Sequence, residues 1–294
     1  MKRVCADAGL LFVAIIWGLT FPVVKSALHY VSPFAFNSVR FFLAFLLFLP
    51  FLKRKEFKAG FAIGSATFIG YAFQTVGLEY TTATNSGLIT SLYVVLTPAV
   101  AYALYKEKMT NFELFSVVLA FSGVYLLTGY TGFNYGDLLT LLCSIAFAFE
   151  IAMISKYAKM LNPLSLAGWQ VFAVGILSAF ATPLFTEKFE VNEVVAVSLL
   201  VTAILATFVA KILQNYLQSY TKSVDAGIIL STEGIFSHLF GALLLNEKLV
   251  LTQYIGVLLM VLAVILVSTS GEVRELRGSV SRLLNREKYR NSKN

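Results

Sequence analysis

Charge is scarce in this sequence, and that scarcity excludes most soluble folds. Only 13% of the 294 residues are Asp, Glu, Lys or Arg, whereas 58% are apolar. The mean hydropathy is +0.78. A soluble domain carries about 25% charged residues. The composition therefore places the chain among integral membrane proteins.

Histidine and cysteine are also rare, and this leaves little room for a catalytic or metal site. The chain has two of each, and Cys5 and Cys143 have neither a disulfide pattern nor metal-ligand spacing. The sequence contains no H-E-x-x-H motif, no Asp-rich loop and no G-x-x-x-x-G-K-[ST] segment. We therefore expect no cofactor and no metal. A membrane-embedded enzyme is disfavoured, and a nucleotide-driven pump is excluded.

Ten apolar stretches are long enough to cross a bilayer as helices, since a core about 30 Å thick needs roughly 20 residues. The connectors are short, and the period-two alternation of a membrane barrel is missing. The sequence therefore predicts an all-α membrane protein with ten transmembrane helices. The stretches run approximately over residues 8–28, 33–52, 59–79, 84–105, 111–129, 136–156, 163–185, 193–219, 224–246 and 252–270.

Positive charges fall unequally on the two sets of connectors. With a cytoplasmic N-terminus, 18 of the 23 Lys and Arg residues lie on the cytoplasmic side, and only Lys188 and Lys248 lie outside. Cytoplasmic loops of membrane proteins are enriched in Lys and Arg. We expect a multi-pass protein of the cell membrane with both termini cytoplasmic. The basic balance thus reflects topology and does not indicate nucleic-acid binding.

The chain repeats itself. A shift of 140 residues aligns the later helices of the two halves, and a shift of 130 aligns the first two. Residues 1–130 and 131–270 are therefore predicted to be two five-helix units, and the odd number of helices inverts the second unit in the bilayer. Inverted repeats are common in secondary transporters, with the substrate site near the midplane between them. Aligned pairs include Gln74 and Gln214, Glu107 and Glu247, and Asp7 and Asp137.

Several segments resemble EamA-type carriers of the drug/metabolite transporter superfamily. The similarity extends over residues 8–270 and implies ten helices in two inverted repeats, often with export of amino acids or related metabolites. Gly234 stands where the family commonly has proline, so we expect a softer bend in the ninth helix. The segments are Trp17–Pro22, Thr81–Gly87, Ser91–Pro98, Leu230–Phe236 and Leu243–Glu247.

Polar side chains within the spans are the main candidates for a solute pathway, because ionisable groups in a bilayer usually face a cavity or the bundle interior. The eighth helix has four polar residues at i, i+3, i+4 and i+7, which places them on one face. We expect this stripe and its repeat partner on the third helix to line a central aqueous cavity. The alternative is hydrogen bonding between packed helices. The two stripes are Lys211, Gln214, Asn215 and Gln218, and Tyr71, Gln74 and Thr75.

Two glutamates are expected at a depth similar to that of Lys211. Glu150 and Glu233 could form a structural ion-pair cluster with it. Alternatively, the group could recognise a zwitterion, with Lys211 at the carboxylate and a glutamate at the amine. A third use is proton coupling, because desolvation favours the protonated form of a carboxyl group.

Other residues complete the predicted pathway. Tyr93 occupies the repeat position of Glu233, and Trp17 could line the same cavity or fill the bundle. Pro22 and Pro98 are gating candidates, since proline kinks a helix. Arg40 could act as a gate or attract anions, with snorkelling to the interface as the alternative.

The C-terminal residues 271–294 form a basic segment with seven Lys or Arg and three Glu. Its apolar residues recur at helical spacing, so we expect it to lie on the anionic inner leaflet. A disordered basic tail is the alternative.

The function predicted from these patterns is secondary transport, in the export direction, of small polar metabolites such as amino acids by alternating access. The partners expected are a small-molecule substrate and the lipid bilayer, and the protein is either a monomer or a homodimer. The alternative is a proton-coupled drug or nucleotide-sugar-type carrier of the same superfamily.

Overall fold

The structure is a computed structural model that describes residues 2–128, 134–184, 188–247, 251–252, 254–267 and 269. The predicted basic tail lies outside the described residues. Within the described residues the regular structure is helical, apart from one isolated bridge between Val31 and Phe189. The helices are α1 (Lys2–Ala27), α2 (Pro33–Phe48), α3 (Phe57–Tyr80), α4 (Ala83–Thr90), α5 (Tyr93–Tyr105), α6 (Asn111–Thr128), α7 (Tyr135–Tyr157), α8 (Pro163–Ala181), α9 (Glu193–Val201), α10 (Ala210–Gln218), α11 (Ser223–Leu230), α12 (Glu233–Leu245) and α13 (Tyr254–Val267).

These helices make up ten apolar spans. Eight are long and apolar enough to cross a membrane, and two are shorter, Asn111–Leu126 and Tyr254–Val267. Large apolar side chains such as Leu46 and Phe112 are 59% and 63% exposed, as expected where lipid covers the surface. The predicted fold, an all-α membrane protein with two inverted five-helix repeats, is confirmed.

Two of the ten spans are broken at matching places. The regular α-helical hydrogen bonding of the fourth span is interrupted at Ser91 and Leu92, and that of the ninth at Ser231 and Thr232, where the backbone stays in the right-handed helical region. The two breaks coincide under the 140-residue shift. The span expected over 84–105 is present as Ala83–Tyr105, and the interruption lies ahead of Pro98, which is inside α5.

The break in the ninth span requires no proline. The hydroxyl of Ser231 donates to the carbonyl of Ile228 at 2.7 Å, and that of Thr232 donates to Ile229 at the same distance. Such side-chain hydrogen bonds compete with the helical backbone pattern. The softer bend expected at Gly234 stays a prediction.

A third irregularity lies in the eighth span, where residues Thr202–Val209 form a π-helical segment between α9 and α10. Wide turns of this kind often occur at functional sites. Here the segment presents the Ala206 carbonyl to the indole N–H of Trp17 at 3.0 Å. It also presents the hydroxyl of Thr207 to Nε of Arg40 at 2.9 Å.

Each broken span is capped by a glutamate from the other repeat. Glu247 accepts hydrogen bonds from the N–H groups of Ala83 and Thr84 at 3.1 and 3.0 Å, and from the Thr84 hydroxyl. Glu107 accepts from the N–H and hydroxyl of Ser223 at 3.1 and 3.0 Å. A carboxylate at a helix N-terminus satisfies free N–H groups and favours the helix dipole. We call this pair the exchanged caps.

The chain turn that aims each exchanged cap is also repeated. Lys106 and Asn246 have φ of 57° and 55°, and no other described non-glycine residue has a positive φ. Each ends its helix in the left-handed conformation, a common way for a helix to stop. The next residue, Glu107 or Glu247, is thereby directed across to the opposite repeat.

Removal of either exchanged cap should destabilise the protein modestly. We expect Glu247→Ala and Glu107→Ala each to lower the free energy of unfolding by about 1 kcal/mol, the usual effect of losing an N-cap. Unfolding in detergent micelles, followed by tryptophan fluorescence, measures this loss. Glu190→Ala removes an exposed carboxylate and serves as the control. Cap variants that unfold like this control would contradict the assignment.

Candidate functional site

A cavity of about 390 Å³ lies at the centre of the bundle. Helices α1, α3 and α5 of the first repeat and α7, α10 and α12 of the second form the wall. Of the residues in the two predicted polar stripes, Asn215, Gln218 and Thr75 do not line it. The lining residues are Trp17, Thr20, Phe21, Tyr71, Gln74, Tyr93, Phe147, Glu150, Ile151, Lys211, Gln214 and Glu233.

Every lining residue has its repeat partner in the same wall. The shift of 130 residues relates the members from α1 and α7, and the shift of 140 relates the others. The cavity therefore surrounds the axis that relates the two repeats. The pairs are Trp17 and Phe147, Thr20 and Glu150, Phe21 and Ile151, Tyr71 and Lys211, Gln74 and Gln214, and Tyr93 and Glu233.

Sequence reasoning missed four of these lining residues: Thr20, Phe21, Phe147 and Ile151. The repeat itself was the available signal. Applying the 130-residue shift to Trp17 and Glu150 gives Phe147 and Thr20.

The charges in the cavity come from the second repeat alone. At the three matching positions the first repeat has uncharged hydroxyl side chains. The cavity is thus symmetric in shape and asymmetric in charge, a property suited to a solute whose ends differ. The charged residues are Glu150, Lys211 and Glu233, and their partners are Thr20, Tyr71 and Tyr93.

Lys211 and Glu150 form a buried ion pair between α10 and α7. They are only 1% and 2% exposed. The Thr67 hydroxyl donates to the paired oxygen of Glu150 at 2.9 Å, and Lys211 also donates to Gln214 at 3.0 Å. The ring of Trp17 lies 4.9 Å from the ammonium nitrogen. Both charges are therefore compensated within the protein, which favours the structural ion pair among the predicted alternatives.

Glu233 has a different environment. It is the first residue of α12 and is 4% exposed. Its carboxyl group faces the hydroxyl of Tyr93, and it belongs to none of the ion pairs in the described part of the chain. The N-terminus of a helix stabilises a carboxylate, and no Lys or Arg of the described residues lies within ion-pair distance of it. The three residues of the predicted cluster thus line one cavity, and within it Lys211 pairs with Glu150.

The lower part of the polar stripe on α10 is packed between helices. Asn215 and Gln170 exchange hydrogen bonds of 2.8 and 3.3 Å. Gln218 donates to the Ile151 carbonyl at 3.1 Å and to the Ser155 hydroxyl at 2.8 Å. The structure therefore places Asn215 in the contact between α8 and α10, away from the cavity wall where it was expected.

A second cavity, of about 240 Å³, adjoins the first. Thr20, Phe21 and Gln74 belong to both walls. Arg40 also lines this second cavity and is 2% exposed, so the snorkelling alternative for Arg40 is wrong. Its side chain points into the bundle because the π-helical segment offers it a hydroxyl acceptor. The other lining residues are Val24, Thr75 and Leu78.

The two proline candidates lie beside the cavities without lining them. Pro22 follows the lining residue Phe21 within an unbroken α1, and Pro98 is buried in α5. Their role in gating stays a prediction.

Comparison with known proteins decides the family. The profile of the EamA-like transporter family matches residues 5–129 and again residues 134–269. The chain belongs to the EamA-like transporter family. The double match follows the internal repeat, since each half corresponds to one EamA unit.

Individual EamA-like relatives cover most of the chain. An uncharacterized transporter of Archaeoglobus fulgidus is 59% identical over 268 residues, which is 91% of this chain and 87% of its own length. The uncharacterized transporter YvbV of Bacillus subtilis is 25% identical over 285 residues, 90% of this chain and 92% of its own. One crystal structure aligns with a TM-score of 0.74 at 16% identity, over 93% of this chain and 99% of its own. At that identity the structural match concerns the fold.

For an EamA-like transporter, the arrangement has a direct meaning. Inverted repeats, interrupted helices and a polar cavity between the repeats are the parts from which membrane carriers build a solute site. The chain is therefore a multi-pass membrane protein of a transporter family.

Proposed function

We propose that this protein is a secondary transporter that exports small polar metabolites, such as amino acids, by alternating access. The observation that carries the proposal is the central cavity whose wall consists entirely of repeat-related pairs. A solute held on the axis between two inverted units can be exposed to either side when one unit rocks against the other. The moving units are residues 1–130 and 131–270.

The two broken spans support this motion. Tyr93 and Glu233 are the first residues of α5 and α12, and both face the cavity. An interruption in the regular helical hydrogen bonding allows the two parts of a span to change their relative tilt. The breaks therefore couple solute contact to rocking.

The distribution of positive charge supports the membrane location and the orientation of the chain. The 18-to-2 distribution of Lys and Arg supports insertion in the cytoplasmic membrane with both termini inside. In that orientation the ion pair between Arg3 and Asp225, at 2.5 Å, ties α1 to α11 at the cytoplasmic end. In the proposed cycle, this ion pair separates when the protein adopts the inward-facing state.

Reconstitution into liposomes tests the proposal. The purified protein is supplied with labelled amino acids of each side-chain class, organic amines, sugars and a nucleotide sugar, with and without a pH gradient. We expect saturable flux of at least one small polar metabolite that empty liposomes lack. Flux imposed from either side of oriented vesicles gives the direction. A folded protein that moves no member of the panel would refute the proposal.

A second candidate is a proton-coupled carrier of drugs or other cations. The observation that favours it is Glu233, which is buried and belongs to none of the ion pairs of the described residues. A carboxylate of this kind can exchange a proton for a cationic solute during the transport cycle. The pH-gradient arm of the same experiment distinguishes this candidate, because coupled flux requires the gradient to accumulate solute.

A further inference from the structure

Arg40 is a buried cation without an anionic partner. It is 2% exposed, yet it takes part in none of the ion pairs of the described residues. Its Nε donates to the hydroxyl of Thr207, and its guanidinium carbon lies 5.0 and 5.1 Å from the rings of Phe41 and Tyr71. Neutral neighbours of this kind leave the charge uncompensated. Such burial is costly unless an anion arrives.

The repeat offers an internal comparison. Thr67 and Thr207 are related by the 140-residue shift, and each holds one buried charged side chain. Thr67 donates to Glu150 at 2.9 Å, and Thr207 accepts from Arg40 at 2.9 Å. The same hydroxyl position therefore fixes an acid in one half of the protein and a base in the other.

Only one of these two charges is neutralised by the protein. Glu150 has Lys211 as its partner. The repeat equivalent of Lys211 is Tyr71, whose ring lies beside Arg40. The structure thus supplies a counter-ion for the acid and a neutral ring for the base, so the guanidinium is available to an external anion.

The location of Arg40 allows a solute to reach it. Arg40 lines the second cavity, which shares Thr20, Phe21 and Gln74 with the central one. Glu233 lines the central cavity and likewise forms none of the ion pairs of the described residues. Arg40 and Glu233 therefore line adjoining cavities that share three residues.

We propose that Arg40 binds the carboxylate of the transported solute and that Glu233 binds its ammonium group. A small zwitterion then spans the common wall, with its side chain against the apolar and aromatic surface of the central cavity. Arginine can bind a carboxylate through two parallel hydrogen bonds. The inference rests on the proposed function and refines it. It also moves carboxylate recognition from Lys211, which is already paired, to Arg40.

Ligand series that lack one charge at a time test this assignment. Each series contains an amino acid, its primary amide and its desamino acid, built on alanine, leucine and phenylalanine. Flux is measured in proteoliposomes, and binding is measured by the fluorescence of a Trp169→Phe variant, which keeps only Trp17 in the cavity wall. We expect the wild type to prefer the amino acid over both analogues by at least about tenfold, because unpaired polar groups in a site discriminate strongly.

The variants should separate the two ends of the ligand. Arg40→Gln is expected to weaken the binding of the amino acid and of the desamino acid at least about tenfold. It should weaken the binding of the amide less than about threefold. Glu233→Gln should weaken the binding of the amino acid and of the amide, and leave the binding of the desamino acid unchanged. Arg40→Lys keeps the charge and should retain part of the preference for the carboxylate.

Several outcomes would overturn the inference. Equal weakening of all three compounds by Arg40→Gln would assign Arg40 a packing role. If that variant does not fold, the wild type alone decides, since equal binding of amide and amino acid would also refute the proposal. A wild type that moves sugars or other solutes, and no member of the three series, would refute the zwitterion site and leave the proposed function standing. A wild type that moves nothing would instead refute the proposed function.

Discussion

Lys211→Met should lower the free energy of unfolding by about 3–5 kcal/mol, the usual effect of removing one partner of a buried ion pair. The substitution leaves the carboxylate of Glu150, which is 2% exposed, with only the Thr67 hydroxyl and no cation. The loss comes mainly from this stranded charge. Chemical unfolding in detergent micelles, followed by tryptophan fluorescence, measures the difference.

The double variant Lys211→Met with Glu150→Met is the matched control. Removing both charges together replaces the pair by apolar side chains, which is often neutral for stability. We therefore expect the double variant to unfold within about 1–2 kcal/mol of the wild type. If the double variant loses as much stability as the Lys211→Met and Glu150→Met single variants together, the residues are not coupled and the ion pair has no structural role.

Glu233→Gln should reduce flux at subsaturating solute by about 10- to 100-fold, because a hydrogen bond to a charged group contributes about 1.5–3 kcal/mol. In contrast to Lys211, this residue has no cationic partner in the described structure. Its neutralisation strands no charge, so the variant should fold and unfold like the wild type. Loss of flux with unchanged stability is the signature of a residue that contacts the solute.

Two further variants define the origin of that loss. Glu233→Asp keeps the charge and should retain more flux than Glu233→Gln. Glu190→Gln removes an exposed carboxylate outside the cavity and should not change flux. If Glu233→Gln transports within twofold of the wild type, Glu233 has no part in solute recognition.

The helices and the repeat could be predicted from the sequence because both depend on patterns along the chain. A span needs a sufficient apolar length, and an internal repeat needs only self-similarity. The breaks at Ser91 and Ser231 could not be predicted, because serine is tolerated inside membrane helices. Only the local hydrogen bonds and the packing of the neighbouring helices decide whether the regular α-helical hydrogen bonding is interrupted there.

For the site, helical periodicity identified which residues of α10 share a face, but not where that face meets another helix. Lys211 and Gln214 reach the cavity, whereas Asn215 meets Gln170 on α8. The burial of Arg40 depends on a π-helical segment that presents Thr207. No periodicity in the sequence indicates such a segment, so its consequences for charge placement are visible only in three dimensions.

The exchanged caps bear on how the protein is made. Glu247 is synthesised 163 residues after Thr84, whose N–H group it caps. Until Glu247 has been synthesised, the N-terminus of α4 in the first half of the chain lacks its cap. Glu107 in turn waits for Ser223, which follows it by 116 residues. Biogenesis therefore ends in one joint closure late in synthesis, and two separately expressed halves would each remain incomplete until they meet.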